Sequence, residues 1–310
     1  MSVRPLVGAM YRENGKDVTS CGRVLTVVGT AAACTIAWLV TRGVVVLPGL
    51  LVVQPASGLA LPLTVLFGPG AALGAAIGAL AGDVAVGSLA PISLVESGSQ
   101  LLLGGLGWLY WRELDPFGAG RRPLGAAGRA GAAVAVSSAG AAAFLAWGSE
   151  LLAVAPFHLA AVEAGGEYVL ATLVVLAPYL VVSTRADGFG GRLRRPRAAP
   201  SPTGDRGPSP RTDGRRSRTV ALLSLPVAWV LVGTIGSVGY RVLETIPPTD
   251  FVERGVGVLL VVHQPGLFGP GAVAVQAVFG SFVVAVFGAL VVGGGRTASE
   301  GDRITGGDDE

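Results

Sequence analysis

The run LFGPGAALGAAIGALAGD, from Leu66 to Asp83, decides the class of the molecule. Between the Gly68-Pro69-Gly70 turn and Asp83 it carries no charge, and Gly74, Gly78 and Gly82 recur at every fourth position. Residues four apart share one face of a helix, so this spacing predicts a smooth glycine groove that a second helix enters closely. The flanking stretches are equally apolar. A chain of 310 residues that is 51% hydrophobic and 14% charged, with mean hydropathy +0.62, lies far from the globular average. Its charges gather in short stretches between apolar runs instead of spreading as a solvated surface requires. A helix needs about 20 apolar residues to cross ~30 Å of hydrocarbon, and backbone in lipid must bond internally, so transmembrane helices are the expected solution. The polar/apolar alternation of a membrane β-barrel is absent from the sequence.

The expected architecture is an all-α, polytopic transmembrane bundle of about eight spans, within a range of six to nine. The first runs from about Val24 to Val40, and the second from about Val44 to Phe67, where Pro48, Pro55 and Pro62 predict a kinked or partly unwound segment. The third and fourth run from Ala71 to Ser88 and from about Ile92 to Trp111. The fifth covers about Ala132 to Gly148 and the sixth Tyr168 to Val182. A seventh from about Val220 to Val238 and a last from Ala272 to Val292 complete the count. Gly255 to Val262 is apolar but too short to cross, and reads as re-entrant or interfacial.

Basic residues test this count, because cytoplasmic loops near spans carry them in excess. With both termini cytoplasmic, twenty of the 23 lysines and arginines fall on inside segments, and only Arg42, Arg241 and Arg254 fall outside. The outside segments carry Glu150, Glu163, Glu167, Glu244, Asp250 and Glu253. The stretch 185–218, rich in arginine, proline, serine and glycine, cannot bury a core and reads as a disordered cytoplasmic linker. It divides a six-span unit, 1–184, from a two-span unit with the short segment, 219–294, followed by an acidic tail, 295–310. The linker fixes topology, or docks on anionic lipid or an acidic partner. Phe189 is its one stacking aromatic, which argues against nucleic acid as a partner. The hexapeptide LFGPGA occurs at Leu66–Ala71 and again at Leu267–Ala272, in each case after a VVQP-like run, so that duplication competes with chance in a chain rich in Gly, Pro, Val and Ala.

Ionisable and polar groups at membrane depth are expensive and usually face a bundle interior or water. Asp83 follows the glycine ladder, and Glu96 and Gln100 lie one turn apart on the fourth span, so these three are candidate solute-lining residues. The plainer reading puts Asp83 and Glu96 at headgroup level beside Pro91. Trp147, Glu150 and Glu167, with Phe157, His158, Glu163 and Tyr168, sit in the outer connection between spans five and six and suit a cationic or ring-shaped solute. Interfacial aromatics are expected there in any membrane protein as well. Ala33 and Ala37 on span one give a weaker helix-packing spacing than the three glycines. Cys21 and Cys34 match no zinc or redox spacing, and His158 and His263 have no metal-ligand spacing, so no metal or cofactor is expected. A Walker loop, nucleophile elbow, paired zinc histidines and kinase motifs are all missing, so the chain is not expected to be an enzyme.

The stretch Leu63 to Arg112 resembles the substrate-binding S components of energy-coupling factor (ECF) transporters. The resemblance rests on Leu66-Phe67-Gly68-Pro69-Gly70, the glycine ladder, Gly82-Asp83, and a helix closing on Trp108-Leu109-Tyr110-Trp111-Arg112. It implies a six-span solute-capturing subunit in the cell membrane, energised by a separate ATPase and transmembrane module, with Ala33 and Ala37 turned to that partner. The phrase Pro55-Ala56-Ser57-Gly58-Leu59-Ala60-Leu61 leading into Leu66-Phe67-Gly68 also resembles MASE-type membrane sensory input domains. A membrane scaffold or assembly factor that binds no solute is a third reading.

Overall fold

A computed structural model describes residues 17–41, 45–47, 51–52, 54–114, 116, 123–185, 223–238, 277–278 and 280–286. Helix α1 spans Asp17–Thr41, and an antiparallel pair of short strands, β1 (Val45–Leu47) and β2 (Leu51–Val52), follows it. A 3-10 turn, Pro55–Gly58, leads into the short helix α2, Ala60–Phe67. Helices α3 (Gly70–Ala85), α4 (Pro91–Leu114), α5 (Pro123–Leu151) and α6 (Phe157–Arg185) complete the continuous part, and Leu223–Val238 forms α7. Among the described residues, three helical stretches, Gly22–Thr41, Ala127–Leu151 and Phe157–Leu176, are long and apolar enough to cross a membrane. Pro55–Phe67, Gly70–Ala85 and Leu223–Val238 are apolar but shorter.

The region read as a second span is a strand pair, a 3-10 turn and a helix of 8 residues. Proline explains the break: Pro48, Pro55 and Pro62 each lack an amide donor, and Pro55 sits at the start of the 3-10 turn, where that donor is not needed. Helix α2 ends at Gly68, whose φ of 89° admits glycine at no steric cost, and Pro69-Gly70 then starts α3. The sixth helix begins at Phe157, well ahead of the expected Tyr168, because its amphipathic first turns carry Glu163 and Glu167 and so fall below a purely apolar threshold. Gly255–Val262, residues 186–218, the second LFGPGA copy, His263 and the acidic tail lie outside the described residues.

By internal contacts the chain falls into two compact units. The first comprises Met1–Leu145 with Val162–Arg206, and the second Ala146–Ala161 with Gly207–Glu310.

In the first unit, α1 and α3 run parallel, and the glycine ladder of α3 is what lets them approach. A Cβ on Gly74 would overlap the Thr30 side chain, and one on Gly78 would lie 2.6 Å from both the Ala31 carbonyl oxygen and Cys34 Cβ. One on Gly82 would lie 2.5 Å from the Trp38 ring. The advancing pairs 74 with 30, 78 with 34 and 82 with 38 fix the register, and the Thr35 hydroxyl donates to the Gly78 carbonyl at 3.1 Å. Ala33 is exposed, while Ala37 is half-buried against the cluster of Trp38, Ala56 and Ala79. Helix α4 lies antiparallel to α3, with the Ser97 hydroxyl donating to the Ala76 carbonyl at 2.9 Å. Gly104 and Gly107 of α4 receive Thr64 and Leu61 of α2 in the same close manner. Packing between such small residues rests on dispersion and shape.

Outward faces follow the same logic. Val24, Leu25, Val28, Ile36 and Val40 of α1 are exposed, as are Val162, Leu170, Leu173 and Val174 of α6, which leaves apolar faces compatible with lipid.

Candidate functional site

The first unit is built largely of Ala, Gly, Leu and Val, which makes a buried polar layer among its described residues conspicuous. The layer forms where the proline-broken segment 54–58 lies on α6. A Cβ on Gly58 would collide with the Ala171 carbonyl group and the Thr172 amide, so only glycine lets this turn rest directly on the helix backbone. That approach brings the Gln54 amide to Glu167 Oε1 at 3.4 Å and places the Ser57 hydroxyl within hydrogen-bonding reach of the same carboxylate. The Ser57 hydroxyl donates its proton to the Gln54 carbonyl at 2.7 Å, which closes the turn. One residue further along α6, the Tyr168 hydroxyl meets the Ser99 hydroxyl of α4 at 2.6 Å, with both residues buried. Ser99 sits between Glu96, half-buried, and Gln100, which is 3% exposed.

Three buried polar atoms of this unit have no hydrogen-bond partner among the described residues: Gln54 Nε2, Ser138 Oγ and Thr172 Oγ1. Ser138 and Thr172 are fully buried. Gly165 of α6 faces Ala142 of α5. Leaving such an atom without a partner costs about 1–3 kcal/mol in a protein interior, and more in hydrocarbon.

No family model matches the chain. No curated protein or solved structure matches it at the significance required either. The site is therefore read from its own geometry.

The six residues singled out as solute-lining separate into three settings. Glu96, Gln100 and Glu167 belong to the first unit, on the two helices that the Ser99–Tyr168 contact ties together. Asp83 is also in that unit but is taken up by packing: it is 6% exposed, and its Oδ1 accepts from the Trp38 indole N–H at 3.2 Å. The Ser88 hydroxyl lies 3.5 Å from the same oxygen, and the Ser88 amide donates to the Asp83 carbonyl at 3.0 Å. Trp147 and Glu150 belong to the second unit.

Within that second unit, Glu150 is 6% exposed and caps α6. Its Oε2 accepts from the Phe157 amide at 3.2 Å, at the helix N-terminus, where a carboxylate is favoured by the exposed N–H groups and the helix dipole. Its Oε1 accepts from the Ser237 hydroxyl of α7 at 3.1 Å, and Ser237 lies 3.2 Å from His158 Nδ1. Because Ser237 donates its only proton to Glu150, Nδ1 must be the donor in the His158 contact, which leaves Nε2 as acceptor in the neutral ring. Trp147 packs on Trp229, with ring centroids 6.4 Å apart and planes tilted by 59°, and Gly280 sits against the Trp147 ring.

Gln54, Ser57, Ser99, Ser138 and Thr172 were not distinguishable as site residues in the sequence. Single Ser, Thr and Gln residues are frequent in apolar runs and usually bond back to their own helix, as Thr26, Thr30 and Ser137 do here. The available signal was the Pro55 break, which marks where backbone and side chains leave helical pairing.

Proposed function

We propose that the chain is a multi-pass protein of the cell membrane that captures a small solute, working as the substrate-binding subunit of an importer of the ECF type. The single observation that supports this reading is the polar layer made by Gln54, Ser57, Ser99, Glu167 and Tyr168, in a unit that also buries hydroxyls without a partner among the described residues. A bundle that only filled lipid would gain nothing from burying these groups, and irregular backbone at membrane depth is tolerated where it is enclosed by protein or lines a cavity. In the topology with both termini cytoplasmic, segment 54–58, the first turns of α4 and the first turns of α6 all lie in the outer half. A solute would then enter from outside. Glu96, Gln100 and Glu167 line the layer in this reading, and Asp83 serves as a clamp between α1 and α3. The energy for release comes from a separate ATPase and transmembrane module.

Purification from native membranes in mild detergent, with mass spectrometry of retained proteins and small molecules, tests this directly. The expected result is an ATPase module, a stoichiometric polar solute, or both. A bare chain, or one held by a kinase or response regulator, contradicts it and favours sensing or assembly.

A further inference from the structure

Proton counting singles out Glu167. The Ser57 hydroxyl has one proton and lies 2.7 Å from the Gln54 carbonyl oxygen, an ordinary length for an O–H···O bond, so that proton is given to Gln54. The same hydroxyl oxygen is also within hydrogen-bonding reach of the Glu167 carboxyl group. An ionised carboxylate only accepts, and a hydroxyl whose proton is already given away can only accept as well. Two oxygens would then face each other with no proton between them. The second contact points the same way. The Gln54 amide reaches Glu167 Oε1 at 3.4 Å, longer than charge-assisted bonds, which run roughly 2.7–2.9 Å, and suited to the carbonyl oxygen of an uncharged carboxyl group.

The surroundings agree with a neutral group. Ser57 is buried, Gln54 and Glu167 are half-buried, and Gly58 holds the turn directly on the backbone of Ala171 and Thr172. The described titratable groups around Glu167 are Glu163, exposed one turn earlier on α6, its neighbour Tyr168, and Glu96 of α4, which makes a contact of its own. Segment 54–58 carries no titratable side chain, and Arg42, Arg241 and Arg254 lie outside the described residues.

We infer that Glu167 is a proton-binding site, occupied in this conformation, and that its proton latches the proline-broken turn onto α6. With the proton on Oε2, the carboxyl O–H donates to Ser57 Oγ, Ser57 donates to the Gln54 carbonyl, and the Gln54 amide donates to Oε1, a closed ring of three hydrogen bonds. Loss of the proton breaks the O–H bond, passes the proton to water and leaves a carboxylate facing the Ser57 oxygen. The ring then opens, and the turn is free to lift from α6. A proton at Glu167 satisfies the layer whether or not a solute is captured there. The sign follows from linkage: the latched state binds a proton that the unfolded chain gives up more readily, so the latch contributes stability at low pH and loses it as pH rises.

The test compares the full chain with Glu167→Gln in lipid nanodiscs. Glutamine copies the acid, with an N–H in place of the O–H and a carbonyl in place of Oε1, and it does not ionise. The variant is expected to unfold at a temperature equal to or above that of the parent chain at neutral pH, and to lose part of the parent's decline in unfolding temperature at higher pH. The infrared spectrum of the parent chain at neutral pH is expected to show the carbonyl stretch of a protonated carboxyl group, absent from the variant. Ser57→Ala decides the matter if Glu167→Gln does not fold: it removes the ring, so it lowers the unfolding temperature at low pH and does so less at high pH. A Glu167→Gln variant less stable than its parent at neutral pH, the absence of the acid band from the parent, or a Ser57→Ala loss equal at both pH values overturns the proton site and makes Glu167 an ionised partner of a cation such as Arg42.

Discussion

At the residue scale, Asp83 shows how one carboxylate on an apolar helix can have two readings. Its position after the glycine ladder made it a candidate for solute contact, and no pattern in the sequence pointed to Trp38 as its partner, because the two are 45 positions apart. The structure supplies that partner. Removing the carboxylate leaves the buried indole N–H without an acceptor, which costs about 1–3 kcal/mol. Asp83→Ala is therefore expected to lower thermal stability and membrane abundance together. Unchanged abundance with impaired solute binding would return Asp83 to the binding layer. Glu167 stands in the reverse position: the sequence marked it only as an acidic residue at the outer mouth, and its neighbours Gln54 and Ser57 come from a segment more than a hundred positions away. Such pairings are set by the break at Pro55 and the close approach at Gly58, and neither leaves a local signature at Glu167.

The element scale is where the sequence was most legible. Glycines at 74, 78 and 82 announce a close helix contact by spacing alone, since only that spacing keeps a bare strip along one face. Which helix fills the strip was not legible, because Thr30, Cys34 and Trp38 differ too much in size and polarity to read as its complement. Gly78→Leu would drive a branched side chain into the α1 backbone at Ala31 and is expected to destabilise the bundle by at least about 3 kcal/mol, scored as loss of a monodisperse peak in detergent. A normally folded variant would show that α1 and α3 do not meet there. The connection between α5 and α6 offers the opposite kind of test. Ala153 adopts φ of 55°, a left-handed conformation that glycine occupies without penalty, and its amide donates to the Glu150 carbonyl at 3.1 Å. Ala153→Gly is expected to raise stability by about 0.5–1 kcal/mol, read as a higher unfolding temperature, and a decrease would mean that the turn is not under backbone strain.

At the scale of the whole molecule, composition pointed to apolar helices, three of which are long enough to cross a membrane among the described residues, while the internal layout was not legible. The proline-broken segment 44–67 reads equally as a kinked span or as the strand pair, turn and short helix found there, because hydropathy counts apolar residues and is blind to which of them bond helically. The grouping of residues 146–161 with 207–310 was likewise beyond pattern, since it depends on Glu150, Phe157 and His158 meeting α7 residues far along the chain. The arginine asymmetry carries the most weight here. In the proposed topology it orients the polar layer toward the outside, and the proposed capture of a solute from outside depends on that orientation.

That orientation is also the most direct thing to measure. In a chain with Cys21 and Cys34 replaced by Ala, a single cysteine is placed at Glu163, exposed on α6 one turn from the polar layer, or at Ser201 in the arginine-rich segment. Intact cells are then treated with a membrane-impermeant maleimide. The account predicts that Glu163→Cys is labelled at once and Ser201→Cys only after permeabilisation. Labelling of Ser201→Cys in intact cells, with Glu163→Cys protected until permeabilisation, would put the layer on the cytoplasmic side and contradict capture from outside.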